Sequence, residues 1–299
     1  MSLSILLGGG SGFLGSHLRH ALTERGHTVT VLTRRPAEAS SEVAWDPYGD
    51  GVPQAAVDGA DVVINLAGSP TLGNPHSKKW ARELRESRVT TTRVLAEAIA
   101  AAPRPPAYLA GNGISYYGDH GPAVLTEASD TRGHALLTDV TREWQAATSA
   151  AQDAGSRVCI LRTSPVMDRR SAPLQQQRLQ FLAGAGGRIG SGEQYMPMSS
   201  LRDWTGAVVH LAEHPAAVGP FNICLPEAPT NAEFTRALAR AVRRPAFLHV
   251  PAAVIRVAAG EMAPELLGSL NVRPAALLES GYEFLDRDVT AMLGSALNG

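Results

Sequence analysis

The run Gly8-Gly9-Gly10-Ser11-Gly12-Phe13-Leu14-Gly15 stands between a short apolar segment, Ser4-Ile5-Leu6-Leu7, and an apolar-periodic segment through Leu18 and Leu22. The order is strand, glycine turn, helix. The first backbone N–H groups of a helix lack partners inside it, and a phosphate is an anion that several such donors can hold at once. Gly9 permits the tight turn, Gly12 lets backbone approach a pyrophosphate, and Gly15 lets the helix pack close to the strand. A glycine-rich turn without a ligand can share this spacing, but the flanking strand and helix favour a dinucleotide site. The next β-branched run, Thr28 to Thr33, ends at Arg34-Arg35-Pro36. A site selective for a free ribose 2′-hydroxyl offers a carboxylate there, whereas a hydroxyl and two guanidinium groups suit a 2′-phosphate. These residues therefore predict NADP(H) in preference to NAD(H); the other reading of the arginines is a pair of solvated side chains at a strand end.

The elements that must position these groups follow from the patterning. Val43 to Asp46 predicts a third strand and Ala60 to Asn65 a fourth, the latter ending in Asn65-Leu66-Ala67-Gly68, a small-residue corner beside adenine and ribose. Lys78 to Ala101 carries Leu84, Val89, Val94, Leu95 and Ile99 among charges, the pattern of a long amphipathic helix. The strand Ala107–Gly111 follows, with Gly111 counted as a cofactor contact, and it leads into Asn112-Gly113-Ile114-Ser115-Tyr116-Tyr117-Gly118 at the edge of the reaction site. A helix over Ala135–Ala154 and a strand over Arg157–Arg162 complete six alternating βα units, hence an α/β, doubly wound parallel sheet of Rossmann type. From Thr163 the rhythm changes: Pro165 and Pro173 break the alternation, and the glycine-rich passage Gly184–Gly192 precedes short mixed elements. Residues 1–165 are expected to form the NADP-binding domain, rejoined by about 201–230 through a strand at Gly219–Cys224. Residues 166–299 are expected to supply mainly a smaller, interleaved α+β substrate-side and C-terminal domain.

Composition bounds the partners. A chain of 299 residues, 44% hydrophobic, with formal net charge −1 has no basic footprint for nucleic acid and no apolar run of membrane-spanning length. Cys159 and Cys224 lie far apart without metal-ligand spacing, so neither a disulfide framework nor a metal site is expected. Residues 2–7 lack a basic leader and a cleavage site, which reads as a first strand and, by default, a cytoplasmic location. The expected partner is a small-molecule substrate, and the expected state a monomer or homodimer.

Taken together, the glycine loop, Arg34-Arg35, Trp45-Asp46-Pro47, Asn65-Leu66-Ala67-Gly68, Ser87-Arg88, Tyr116-Tyr117-Gly118 and Gly184 to Gln194 resemble the extended and atypical short-chain dehydrogenase/reductase superfamily. More narrowly they look like its nucleoside-diphosphate-sugar epimerase-like branch. Val250-Pro251, Gly260-Glu261-Met262, Val272-Arg273-Pro274, Leu277-Leu278 and Gly281-Tyr282-Glu283-Phe284 match that branch's C-terminal domain in order. The resemblance implies that Gly9, Gly12, Phe13, Leu14, Arg34, Arg35, Leu66 and Ala67 contact the cofactor. It further implies that Glu83 and Arg88 face the cofactor, the alternative being a solvated ion pair, and that Val166 faces the nicotinamide. It makes Gly184–Gln194 a substrate-side loop in which backbone N–H groups, Arg188 and Gln194 meet the substrate, and nucleotide sugar the substrate class.

The chemistry departs from the family. Its oxidoreductases use a Tyr whose phenol exchanges a proton with substrate, a Lys four positions on that lowers the phenol pKa, and a Ser or Thr that steadies the carbonyl. No tyrosine here has such a lysine; alignment around Trp144 puts Leu137 and Thr141 at the two positions, and Asn112 where the hydroxyl belongs. Tyr116, Tyr117 and Asn112 are the catalytic candidates, with Ser115, His134 and Gln194 as possible substitutes. Asp203, after Ser199-Ser200, reads as a helix cap. The expectation is an NADP(H)-binding epimerase-like protein with redox chemistry on a nucleotide-sugar-like or small carbonyl substrate, or alternatively a non-catalytic NADPH-binding sensor or regulator.

Overall fold

The computed structural model describes residues 2–298. Seven strands, β1 (Ser4–Gly8), β2 (Thr28–Thr33), β3 (Glu42–Ala44), β4 (Val62–Asn65), β5 (Ala107–Gly113), β6 (Val158–Thr163) and β7 (Gly219–Ile223), form one sheet in the order β7-β6-β5-β4-β1-β2-β3. The pairs β1–β2, β1–β4, β2–β3 and β4–β5 are parallel. The order reverses between β1 and β4, so the crevice beyond the carboxyl ends of those strands is the switch point where ligands of doubly wound sheets bind.

Two compact units are built on this chain. The first comprises residues 1–112, 140–161 and 205–220. Helices α1 (Phe13–Glu24), α2 (Gln54–Asp58), α3 (Lys78–Ala101), α4 (Leu136–Ala146) and α5 (Ser149–Asp153) accompany the sheet. Leu84, Leu95 and Ile99 of α3 turn their stripe inward, and Leu95 and Ile99 join Leu6, Val63, Tyr108 and Ile160 in one buried cluster. Trp45 packs there too, although the strand expected to run to Asp46 stops at Ala44. The Asp46 carboxylate accepts from the N–H of Tyr48 at 2.9 Å and turns the chain away. The helix expected over 135–154 is likewise two helices. Thr148 bonds the Gln145 carbonyl through both its N–H and its hydroxyl, which tightens the backbone and interrupts the i−4 ladder.

The second unit comprises residues 113–139, 162–204 and 221–299. It holds α6 (Ala172–Leu182), the first turn of α7 (Leu201–Glu213), α8 (Asn231–Val242), α9 (Ala252–Ala259), α10 (Ala263–Leu267), α11 (Ala275–Glu279) and α12 (Val289–Asn298). Leu174, Phe181, Phe234, Leu238, Met292 and Leu293 form its core. Thr230 and Glu233 close a reciprocal capping box at the start of α8. Three short parallel pairs complete the unit: Val166–Met167 with Ser199–Ser200, Gly187–Ile189 with Leu248–Val250, and Val124–Leu125 with Asn271–Val272. Among the described residues no helix is long and apolar enough to cross a membrane, and no cluster of His, Cys, Asp or Glu is arranged to hold a metal ion.

Candidate functional site

The first unit carries a built cradle at the switch point. Gly9 has φ +79°, and a Cβ there would stand 2.6 Å from the Leu66 carbonyl carbon, so only glycine lets this turn lie against the β4 corner. The Gly9 carbonyl accepts from Gly12 N–H at 3.0 Å, and a side chain at Gly15 would collide with that same carbonyl. Gly12 caps α1 without a side chain, and the first turn of α1 holds no acidic residue, so its leading N–H donors are left for an anion. Phe13 and Leu14 are half-buried at the head of the helix, with the Phe13 ring 4.9 Å from that of His17.

The opposite wall is the Asn65–Gly68 corner. Asn65 is fully buried; its carboxamide oxygen accepts from Ala67 N–H at 3.0 Å and its NH₂ donates to Thr92 at 3.0 Å. The same Thr92 hydroxyl accepts from the Trp144 indole at 2.7 Å. Asn65 thus acts on the site by shaping Leu66 and Ala67, with its side chain turned into the protein. At Gly111 a Cβ would stand 2.7 Å from the Asn65 carbonyl oxygen, which fits β5 tightly under the corner. Arg88 leans along Gly68, donates to the Leu84 carbonyl and the Thr71 hydroxyl at 3.0 Å each, and lies 5.3 Å from the Trp144 ring. Burial pulls its guanidinium down to about 10, and no carboxylate among the described residues pairs with it. Glu83 is exposed and faces Lys79 at 3.7 Å, so the ion pair weighed for Glu83 and Arg88 is not formed. Arg34 and Arg35 are exposed just past β2, and no carboxylate among the described residues is paired with either. The Arg35 N–H is held by the Thr33 hydroxyl at 3.2 Å.

The catalytic candidates have different surroundings. Asn112, at the end of the first unit's strand segment, is buried and donates to the Thr141 carbonyl of α4 at 3.1 Å. In the second unit Tyr117 has no exposed surface, donates to Asn222 Oδ1 at 2.7 Å and accepts from Arg162 at 2.7 Å. Burial pushes its phenol up to about 12 against the pull of Arg162, which makes it a poor base at neutral pH and a structural post. Tyr116 is half-exposed, and Arg162 lies 3.7 Å from its ring centroid. His134 is exposed near Asp139. Val166 is buried in its short strand pair. Arg188 is exposed on the pair formed with Leu248–Val250, while Gln194 donates to the carbonyls of Ile189 and Leu266 and so ties the glycine-rich passage to α10.

Residues 5–224 match the NAD dependent epimerase/dehydratase family. The chain belongs to that family. Residues 250–296 match a second family, the Domain of unknown function (DUF1731), over the stretch read above as a C-terminal domain. Among epimerase family relatives, Mb2239 of Mycobacterium bovis is 37% identical over 294 residues, which is 98% of this chain and 97% of that protein. The human epimerase family protein SDR39U1 is 33% identical, covering 97% of this chain and 98% of its own length. A crystal structure of human SDR39U1 with NADPH superposes with a TM-score of 0.88 at 32% identity, over 98% of each chain. The nucleoside-diphosphate sugar epimerase from Corynebacterium glutamicum gives 0.81 at 29% identity, over 99% of this chain and 58% of that one.

Pattern reasoning did not single out Glu265. Its carboxylate accepts from Ser115 at 2.6 Å across 150 positions, and no spacing rule connects two residues so far apart.

Proposed function

We propose that this epimerase family member binds NADP(H) and carries out redox chemistry on a hydroxyl- or carbonyl-bearing substrate of nucleotide-sugar or related type. The observation that carries the reading is the glycine cradle at Gly9, Gly12 and Gly15, which a Cβ would fill, followed by two exposed arginines without a carboxylate partner among the described residues. The residues present fit the group. With Gly12 allowing close approach, backbone N–H donors at Phe13 and Leu14 receive the pyrophosphate, Arg34 and Arg35 the 2′-phosphate, and Leu66, Ala67, Gly68 and Gly111 the adenosine side. Arg88 adds a desolvated positive charge beside Gly68. Bound, the nicotinamide supplies a hydride donor or acceptor at its 4-position. The relative crystallised with NADPH supports the choice of dinucleotide.

The test is fluorescence titration of NADPH and NADH against the native chain and the R34A/R35A variant. Loss of two charge-assisted contacts is expected to weaken NADPH binding by roughly 100-fold, about 3 kcal/mol, with NADH binding little changed. Equal losses for both dinucleotides, or no affinity of the native chain for NADPH, overturn the reading.

A second reading, a non-catalytic NADPH-binding sensor or regulator, is favoured by one observation: Leu137 and Thr141 stand on α4 where the family's Tyr and Lys belong, and Tyr117 is locked away from solvent. Turnover at the nicotinamide absorbance band with any nucleotide sugar or simple carbonyl rejects it.

A further inference from the structure

The Trp45-Asp46-Pro47 motif is not used by the dinucleotide reading, and the side chain it leads to is Tyr48. Trp45 is buried in the core cluster of the sheet, and its N–H donates to the Thr33 carbonyl at 3.0 Å, which ties the exits of β3 and β2 side by side. In the register of that strand pair Thr33 faces Ala44, so Arg34 follows next to Trp45 at the carboxyl edge of the sheet. The chain then closes a short loop. Asp46 and Gly51 exchange backbone hydrogen bonds at 3.1 and 2.7 Å, and the Asp46 carboxylate accepts the Tyr48 N–H at 2.9 Å. The loop is fixed at its base, and Tyr48 stands near its tip, 60% exposed. Opposite runs α3, whose Thr90 and Val94 line the far side of an open recess of about 580 Å³ shared with Pro47, Tyr48 and Val52. Partial burial raises the pKa of the Tyr48 phenol, and so do the carboxylates of Glu86 and Asp46, while the Arg34 guanidinium pulls it down. The balance lies above the ordinary value, so the hydroxyl keeps its proton at neutral pH and can donate to an anion that a carboxylate in its place would repel. The influence of Arg34 sets that guanidinium and the phenol at one solvent-open patch. Every residue in this arrangement belongs to the run 1–112 of the first unit.

We propose that Tyr48 is a specificity residue of the dinucleotide site, its hydroxyl donating to the same 2′-phosphate that Arg34 and Arg35 receive. The proposal rests on the NADP(H) reading above and adds to it a contact from the exit of β3. A free ribose 2′-hydroxyl offers the phenol a neutral partner and a 2′-phosphate a charged one, and hydrogen bonds to charged groups are the stronger kind. Tyr48 therefore raises the preference for NADP(H) over NAD(H) as well as the affinity. The buried Trp45 and the hydrogen-bonded loop base hold the phenol in place before the ligand arrives, so little side-chain freedom is lost on binding.

The test uses the full chain as native protein, Y48F and Y48A. Binding of NADPH and NADH is titrated by fluorescence, and adenosine 2′,5′-bisphosphate and adenosine 5′-monophosphate, which differ in the 2′-phosphate, are titrated as competitors. Y48F keeps the ring and removes only the hydroxyl. It is expected to weaken NADPH and the bisphosphate by about 10-fold each, with NADH and the monophosphate within about twofold of native. Its melting temperature is expected to stay native-like, because the side chain is exposed and its hydroxyl supports no internal packing. Alkaline titration of the tyrosinate band gives a second readout: the bisphosphate is expected to raise one phenol pKa in the native chain, a shift absent from Y48F. Native-like affinity of Y48F for NADPH and the bisphosphate overturns the contact. Equal losses for NADPH and NADH, or a loss confined to Y48A, also overturn it and make the ring a wall for adenine instead. A native chain that binds neither NADPH nor the bisphosphate strikes the cofactor reading and this contact with it, whereas a native chain that binds both while Y48F does so equally well strikes the contact alone.

Discussion

A phenol serves proton transfer only when its oxygen is open to a ligand, and that of Tyr117 is closed on two sides by Arg162 and Asn222. Asn222 in turn donates to the Arg273 carbonyl, and its N–H is accepted by Glu127, so the hydroxyl anchors a network reaching into the C-terminal residues. Replacing Tyr117 with Phe leaves buried polar groups short of a partner. Urea unfolding of Y117F is expected to show a loss of about 1–3 kcal/mol, with NADPH affinity unchanged. A drop in NADPH affinity without a drop in stability would contradict the structural role. The contrast with the glycine loop explains what could be read in advance. Gly9 and Gly15 act through the side chains they lack, and residue type alone encodes that. Ser115, Arg162 and Glu265 act through partners, and for Ser115 and Glu265 the partner lies 150 positions away.

The hydrophobic patterning of whole elements was legible for the same reason: periodicity is local. The α3 helix runs from Lys78 to Ala101 as its apolar stripe predicts, and β7 forms at Gly219–Ile223 despite the irregular stretch before it. The break at Thr148 escaped notice because it turns on one hydroxyl competing for one carbonyl. Asp203, expected to cap α7, instead sits in its first turn: Ser200 is the cap, its hydroxyl accepting the Asp203 N–H at 3.2 Å, and the Asp203 carboxylate receives that hydroxyl, the N–H groups of Leu285 and Asp286 and the Tyr282 hydroxyl. Beside it Arg202 grips Asp286 at 2.8 and 2.5 Å. Burial alone would raise the Asp286 carboxyl, but hydrogen bonds from Arg202 and Ser295 outweigh it and hold the group below its ordinary value. A depressed carboxylate contributes stability that is present above the unfolded-state pKa and is lost as pH falls through the folded one. Denaturation midpoints are therefore expected to decline below about pH 4 in the native chain. In R202L the neutral-pH stability is expected to be lower by about 3 kcal/mol and the acid decline shallower, because the unpaired buried carboxylate is relieved by protonation. An unchanged acid limb in R202L would show that this pair does not set it.

At the scale of the molecule, the doubly wound order and family membership followed from the alternation of elements and the two motif-bearing ends of the chain, whereas the chemistry did not, since a fold hosts many reactions. The two units are threaded rather than strung: each is assembled from three separate runs of sequence. The first depends on its last run. Glu213, near the end of α7, receives Arg25 at 2.7 Å and His27 at 3.0 Å, and Arg157 donates to the carbonyls of Leu211 and Ala217. A fragment ending at residue 165 lacks those contacts and one strand of the sheet, and it is expected to show neither cooperative unfolding nor NADPH binding. A folded, binding fragment would mean the later run is dispensable. The same threading bears on biosynthesis. Glycine cradle and arginine pair leave the ribosome well ahead of the last run of their unit, which has no complete core until residue 220 has emerged. Until then the nascent chain carries a half-built sheet, and chaperone occupancy should peak on it in that interval.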